Sequence, residues 1–302
     1  MMLKNRSILF VAAFLAASAA VAARADTITH GGTTINMAFV NVDNAGNPAD
    51  PATGSLYGAV GYDYRIGTYD VTAAQWATVK AADPNVGGAQ APHWSGSQPA
   101  GGMTWNGAAE FCNWLTTGNA LHGYYSISGG FATPNALSHD AYAALYGTTY
   151  FIPTENEWYK AAFYSGSGST YYTYAEGSNS VPTPVISGTA PGTAVYWSNG
   201  VEPTAPAAVD QAGGLSPYGA MGMDGNVDQW TETAIGSDRV LRGGDWGADS
   251  SDLASSARDT DWENWSWNYS IGFRVAEVPE PGSLALLFSA AVGGLMWWRR
   301  WR

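Results

Sequence analysis

Cysteine is nearly missing: Cys112 stands alone in a chain of 302 residues. A single thiol excludes an internal disulfide, a cysteine-based zinc site and a paired-thiol redox centre. Histidine is scarce as well. His30, His93, His122 and His139 show no i, i+4 pair and no carboxylate spacing of the kind that builds a metal or iron site, so each reads as a loop or surface residue. Positive charge is short, with 13 basic residues against 25 acidic ones and a formal net charge of −12. Six of the 13 (Lys4, Arg6, Arg24, Arg299, Arg300 and Arg302) sit at the two ends, so the middle is more acidic still. Nucleic acid and anionic membrane surfaces are therefore not expected partners of the middle. The acidity suits simple solubility, or contact with divalent cations. Neither apolar run in the chain reaches the roughly 20 residues of a stable spanning helix.

Those two short runs lie at the ends. Lys4 and Arg6 precede an apolar stretch at 8–23, and Ala23-Arg24-Ala25 offers the small residues of a cleavage site. This predicts a signal peptide over 1–25, with Asp26 opening the mature protein; an anchor helix is the alternative. At the far end, Val278-Pro279-Glu280-Pro281-Gly282 leads into an apolar segment at 284–298 and then Arg299, Arg300 and Arg302. The arginines are held on the cytoplasmic side, which puts the preceding domain across the membrane. The tail, 278–302, resembles the PEP-CTERM sorting signals processed by exosortase-type enzymes, with a permanent tail anchor as the alternative. Either way the domain at 26–276 is exported, to the periplasm, the cell surface or the extracellular matrix.

Within that domain, 14 Trp, 17 Tyr and 37 Gly point to an irregular, loop-rich fold with aromatic cores between turns. Alternation predicts strands at 33–42 and 61–69. Thr72 with Gln75 has capping-box spacing ahead of a helix at 73–81, and Thr154 with Glu157 repeats it after Pro153. Between them, Trp105, Ala108, Ala109, Cys112 and Leu115 form an amphipathic stripe, which makes Cys112 a buried hydrophobe rather than a nucleophile. Glu155 and Glu157 have the spacing of an acid/base pair but fall in a first helical turn, where carboxylates are structural. The stretch 165–213 reads as long loops with a short strand at 194–197. Gly225-Asn226 is a tight turn, and strands are expected at 239–242 and 271–275.

The order of these motifs resembles the formylglycine-generating enzyme (sulfatase-modifying factor) family, within the C-type-lectin-like fold group. The matching positions are Asp70-Val71-Thr72, Thr104-Trp105 through Leu115, Ile152-Pro153-Thr154-Glu155 through Trp158, Gly225-Asn226-Val227 through Trp230, Arg239 through Trp246, and Gly272-Phe273-Arg274. The resemblance implies a single α+β domain. It also implies, in the enzymes, a copper-binding cysteine pair between the two arginine motifs. Counting from Ser256-Ala257-Arg258, those positions hold Ser250 and Ser255. A hydroxyl is a hard ligand that neither holds Cu(I) nor passes an electron well, so copper and formylglycine-generating oxidase activity are not expected. The family's calcium would fall at Gly225, Val227 and Gln229, where Gln229 replaces the carboxylate; a degenerate calcium-like site and a metal-free turn both remain open.

A non-catalytic binding or structural module is the expected function. Asp245, Arg258, Asp261, Trp262, Trp265 and Trp267 lie in one variable stretch, and rings beside polar groups suit an extracellular glycan or protein ligand. Trp246 is expected in the core. The alternative is an enzyme of altered chemistry, an oxidoreductase or hydrolase, with Ser250, Ser255 or a carboxylate pair at work.

Overall fold

An antiparallel hairpin opens the fold, its strands Arg24–His30 and Thr33–Val42 joined through Gly31 and Gly32. The second strand buries Ile35, Met37 and Phe39 on one face and leaves Thr34 and Asn36 at the surface, as its alternation predicts. The computed structural model describes residues 24–87, 93–264 and 268–279. Most of the expected signal peptide, Trp265 and Trp267, and the tail from 280 onward lie outside the described residues. The expected processing point falls inside the first strand, where Arg24 and Ala25 pair with Phe39 and Ala38.

This hairpin forms one side of a five-stranded antiparallel sheet. From it the order continues through Tyr64–Gly67 and Ala276–Val278 to Thr149–Phe151. A second sheet of four strands runs Asp259–Trp262, Asp238–Arg242, Asp228–Ile235, Ile271–Gly272, the last pair parallel. The 61–69 and 194–197 expectations shrink to Tyr64–Gly67 and Thr193–Ala194, because turns on both sides take the remaining residues.

Four helices pack with these sheets: α1 (Ala73–Ala82), α2 (Trp105–Thr117), α3 (His139–Tyr146) and α4 (Glu155–Phe163). Both capping boxes form, Thr72 with Gln75 and Thr154 with Glu157, each joining hydroxyl and side chain to the opposite backbone N–H. Helix α2 departs from its expected amphipathic stripe: residues 105–115 are buried on every side. Its polar residues tolerate this because each is partnered. Asn113 donates to the Ala120 and Tyr125 carbonyls and accepts from the Tyr125 N–H, Asn106 accepts from the Ala132 N–H, and Glu110 accepts from the Gly87 N–H. Cys112 is fully buried, as expected.

Helix α3 has no counterpart among the expected elements, and His139 at its first position, expected as a loop or surface residue, is buried in the core. Its imidazole is 2% exposed, stacks 3.5 Å from Phe151, and lies between Glu157 (3.0 Å) and Glu232 (3.2 Å). Tyr62 donates to Glu157 and Tyr125 to Glu232, completing a closed polar network. Burial alone lowers the imidazole's proton affinity; the two carboxylates outweigh it and push His139 up to about 10. The same charge holds Glu157 below the ordinary range, against the opposing effect of burial.

Candidate functional site

The strand Asp238–Arg242 ends in Gly243 and Gly244, both with positive φ, and the chain then turns across the end of the four-stranded sheet. Gly243 is sterically fixed: an added Cβ would stand 2.8 Å from the Met223 carbonyl. The turn it faces is equally constrained. A Cβ on Gly225 would lie 2.2 Å from the Val195 carbonyl, and Asn226 follows in the left-handed region with φ 67°. Asn226 then ties three segments together through the Val195 carbonyl, the Ala207 N–H and the Trp246 N–H.

Between these turns and the 268–270 segment opens a cleft of about 620 Å³. Asp228, Asp245, Asp252 and Asp259 line it, together with the rings of Trp246 and Tyr269. Asp228 is half-buried at the start of its strand. Burial first, and then the charges of Asp245, Asp259 and Asp252, push its carboxyl well above the usual range, although the Gly244 N–H partly opposes this. Two arginines border the cleft and share one counter-charge. Arg242 and Arg258 both bind Glu155, whose carboxylate is nearly buried at the start of α4. Arg242 also donates to the carbonyls of Ser255 and Ala257 and lies against Tyr57 and Tyr159. A wall in which two guanidiniums share one carboxylate therefore faces an acidic one.

Aromatic rings continue along the rim. His93 stacks on Tyr269 at 3.8 Å, Trp94 donates its indole N–H to the Tyr269 carbonyl, and Trp94 meets Trp246 edge-on at 6.4 Å. Tyr269 is 43% exposed. Trp246, expected in the core, is half-buried here, and its indole N–H has no hydrogen-bond partner.

Of the expected ligand residues, Asp245 and Arg258 line the cleft, Arg258 with its fork occupied by Glu155. Asp261 and Trp262 sit on the strand Asp259–Trp262 at the sheet edge, Trp262 largely exposed. Trp265 and Trp267 lie outside the described residues. Sequence reasoning missed Asp228, Asp252, Asp259, His93 and Trp94. For Asp228 the signal was available: it immediately follows the Gly225 turn and opens a strand whose next residue, Gln229, points into the core. His93 and Trp94 sit in a Gly/Pro loop that carried none.

Ser255 is built into the backbone, its N–H donating to the Thr173 carbonyl and its own carbonyl accepting from Arg242. Ser250 is half-buried in the loop after Trp246. Gln229 is completely buried: its oxygen accepts from the Trp158 indole at 2.7 Å and from the Arg274 guanidinium, and its nitrogen donates to the Gly222 carbonyl. The Gly225 carbonyl accepts from the Val227 N–H. Among the described residues no three His, Cys, Asp or Glu side chains form a metal-holding group.

The model of the sulfatase-modifying factor enzyme 1-like domain matches residues 25–278. The chain belongs to that family. A model of the PEP-CTERM protein-sorting motif matches residues 277–300, which implies export, transient C-terminal membrane anchoring and exosortase-type processing of this sulfatase-modifying-factor-like protein. Among the described residues no helix is long and apolar enough to cross a membrane. The chaperone protein LppX of Paenibacillus barcinonensis is 28% identical over 259 residues, covering 76% of this chain and 85% of LppX. The Treponema denticola variable protein 1 superposes with a TM-score of 0.54 at 23% identity, over 85% of this chain and 99% of that one. The crystal structure of CarF superposes with a TM-score of 0.57 at 21% identity, over 81% and 99%. Both share the α+β fold of this sulfatase-modifying-factor-like domain.

Proposed function

We propose that this exported domain is a non-catalytic binding module that takes an extracellular glycan or peptide in the cleft between Asp228 and Tyr269. The observation that carries the reading is the lining itself: four carboxylates and two rings around a concave space whose arginines are already paired. Rings stack on an apolar sugar face or a peptide side chain while carboxylates accept from hydroxyls or amides. Asp245, Trp246 and Tyr269 make the contacts, Asp228 forms the floor, and Arg258 with Glu155 holds one wall in place. Asp261 and Trp262 extend the surface along the adjoining strand.

Sulfatase-type oxidation does not fit these residues. That chemistry needs two thiolates, whereas Ser250 and Ser255 stand at the cysteine positions and the sole thiol, Cys112, lies buried in α2. Burial, and secondarily Glu232, push the Cys112 thiol far up, away from the reactive thiolate. Gly225, Val227 and Gln229 do not fit calcium either, because the Gln229 oxygen already serves a guanidinium and an indole. One observation favours the enzymatic alternative: Asp228, its carboxyl pushed up by burial and by Asp245, Asp259 and Asp252, lines the cleft beside those carboxylates, and a hydrolase uses carboxyls of unequal acidity for acid and base.

Glycan and peptide arrays probed with wild type and with Asp245→Asn and Trp246→Ala test the proposal. Binding by wild type that both substitutions abolish supports it. Turnover of an array ligand, lost in Asp228→Asn, would establish the hydrolase instead.

A further inference from the structure

The sorting tail leaves the domain beside an exposed apolar pair that the cleft does not use. Antiparallel pairing sets Val278, the end of its strand, opposite Thr149, the start of the next. The chain leaving at Pro279 and the chain arriving from α3 therefore share one end of the five-stranded sheet, and Thr148 and Pro279 line a common groove. Just before that groove α3 closes on Leu145 and Tyr146, which are 67% and 66% exposed. The Tyr146 ring lies 4.4 Å from that of half-buried Tyr142.

Charge divides this end of the sheet in two. From 141 to 154 the chain has no Asp, Glu, Lys, Arg or His. The pairing of Val42 with Tyr64 brings a second turn region to the same end, and there Asp43 and Asp63 are exposed. One margin is hydrated and anionic, the other apolar. What lies opposite them is set by the chain itself. Only residues 280–283 separate Pro279 from the apolar run that opens at Leu284, a reach of at most about 18 Å when fully extended. Tyr146 is three residues from Thr149, a span of at most about 11 Å. While the tail anchors the protein, the bilayer and the apolar pair are thus held near one point.

We propose that Leu145 and Tyr146, with Ala144 and Tyr142 beside them, rest on the headgroup–acyl boundary of the bilayer while the tail is anchored, tilting the Asp43 and Asp63 margin away from it. Leucine contributes apolar area, and the phenol keeps its hydroxyl among the headgroups. Two side chains are too few to hold a free domain on a membrane. The short tether makes up the difference by raising their local concentration at the surface to roughly millimolar. Removal of the tail ends that advantage, so the contact ends with processing. The proposal stands apart from what the cleft binds.

The test uses the full-length chain carried by its tail in phosphatidylcholine vesicles, with an environment-sensitive fluorophore on Leu145→Cys in a Cys112→Ala background. Leu56→Cys is the comparison: Leu56 is as exposed, at 66%, and precedes Tyr57, the ring under Arg242 and Arg258. The label at 145 is expected to shift to the blue and to lose about half of its emission to lipids carrying a nitroxide at headgroup depth, whereas the label at 56 behaves as in water. Adding Tyr146→Asp, or cutting the tail at a protease site inserted after Gly282, should return the label at 145 to its aqueous emission. Should Tyr146→Asp lower the melting temperature, the tail cut carries the comparison alone. Quenching that is equal at 145 and 56, or missing at both, overturns the proposal. So does a blue-shifted label at 145 in the tail-free domain without vesicles, which would place a second copy of the chain on this patch.

Discussion

Arg242 directs Nε and Nη2 onto a single oxygen of Glu155, at 2.9 and 2.6 Å, while Arg258 grips both oxygens of the same carboxylate from the cleft side. A carboxylate at a helix start, which the sequence marks only as favourable to the dipole, is thus the post on which two arginine motifs hang. Glu155→Ala leaves two guanidiniums short of their counter-charge, one of them buried. The expected loss is about 3–5 kcal/mol in denaturant unfolding, with a smaller loss for Glu155→Gln. If Glu155→Ala unfolds within about 1 kcal/mol of wild type, the post is not structural.

His139 makes stability depend on pH from the alkaline side. Its folded value lies above the ordinary 6.5, at about 10, so its contribution is complete below pH 6.5 and is lost as pH climbs toward 10. Glu157, held low, contributes above its ordinary 4.5 and is lost on acidification. Melting temperature should therefore peak between these limits. His139→Gln should flatten the alkaline limb while lowering the whole curve; an unchanged alkaline limb would show that the imidazole is neutral between its glutamates.

Cys112 should ignore a thiol reagent such as Ellman's in the native protein and react in full once denaturant unfolds it. Cys112→Ala should cost under about 2 kcal/mol and change no ligand binding, whereas Cys112→Ser, which buries a hydroxyl, should cost more. Aldehyde formation on a cysteine-containing sulfatase peptide, sensitive to Cys112→Ala, would contradict the reading of this thiol as packing alone.

The cleft reading separates binding from stability. Trp246→Ala and Tyr269→Ala remove partly exposed rings, so each should abolish or strongly weaken ligand capture while shifting unfolding by about 1 kcal/mol or less. Equal loss of binding and of melting temperature would place these rings among the framework residues.

Sorting depends on the tail. Replacing Pro279-Glu280-Pro281 by alanines should leave the full-length chain in the membrane fraction of a host with an exosortase-type enzyme, while wild type is shortened and released from that fraction. Identical fractionation and identical mass of the two would count against processing at this motif.

What the sequence reveals is what neighbours decide. The capping boxes at Thr72/Gln75 and Thr154/Glu157 span three residues each, and both formed as read. Helix α3 escaped because Ser138 makes no side-chain cap and the helix has only eight residues. His139 escaped because its partners are 18 and 93 residues away. The cleft follows the same rule. Asp245 and Arg258 are visible in one variable stretch, but the acidity of Asp228 arises from carboxylates that the fold draws in from 245, 252 and 259. Gln229 looked like a weakened metal ligand because a motif position names a residue and not its neighbours, here Trp158 and Arg274.

The strand Ala276–Val278 lies between Tyr64–Gly67 and Thr149–Phe151, not at the margin of its sheet. A chain exported N-terminus first delivers that strand last, so the sheet stays in two parts until almost the whole domain has crossed. The sorting motif starts within the same strand, at residue 277. The strand that closes the sheet is thus also the one next to the tail, and a cut that reached into it would part Tyr64–Gly67 from Thr149–Phe151.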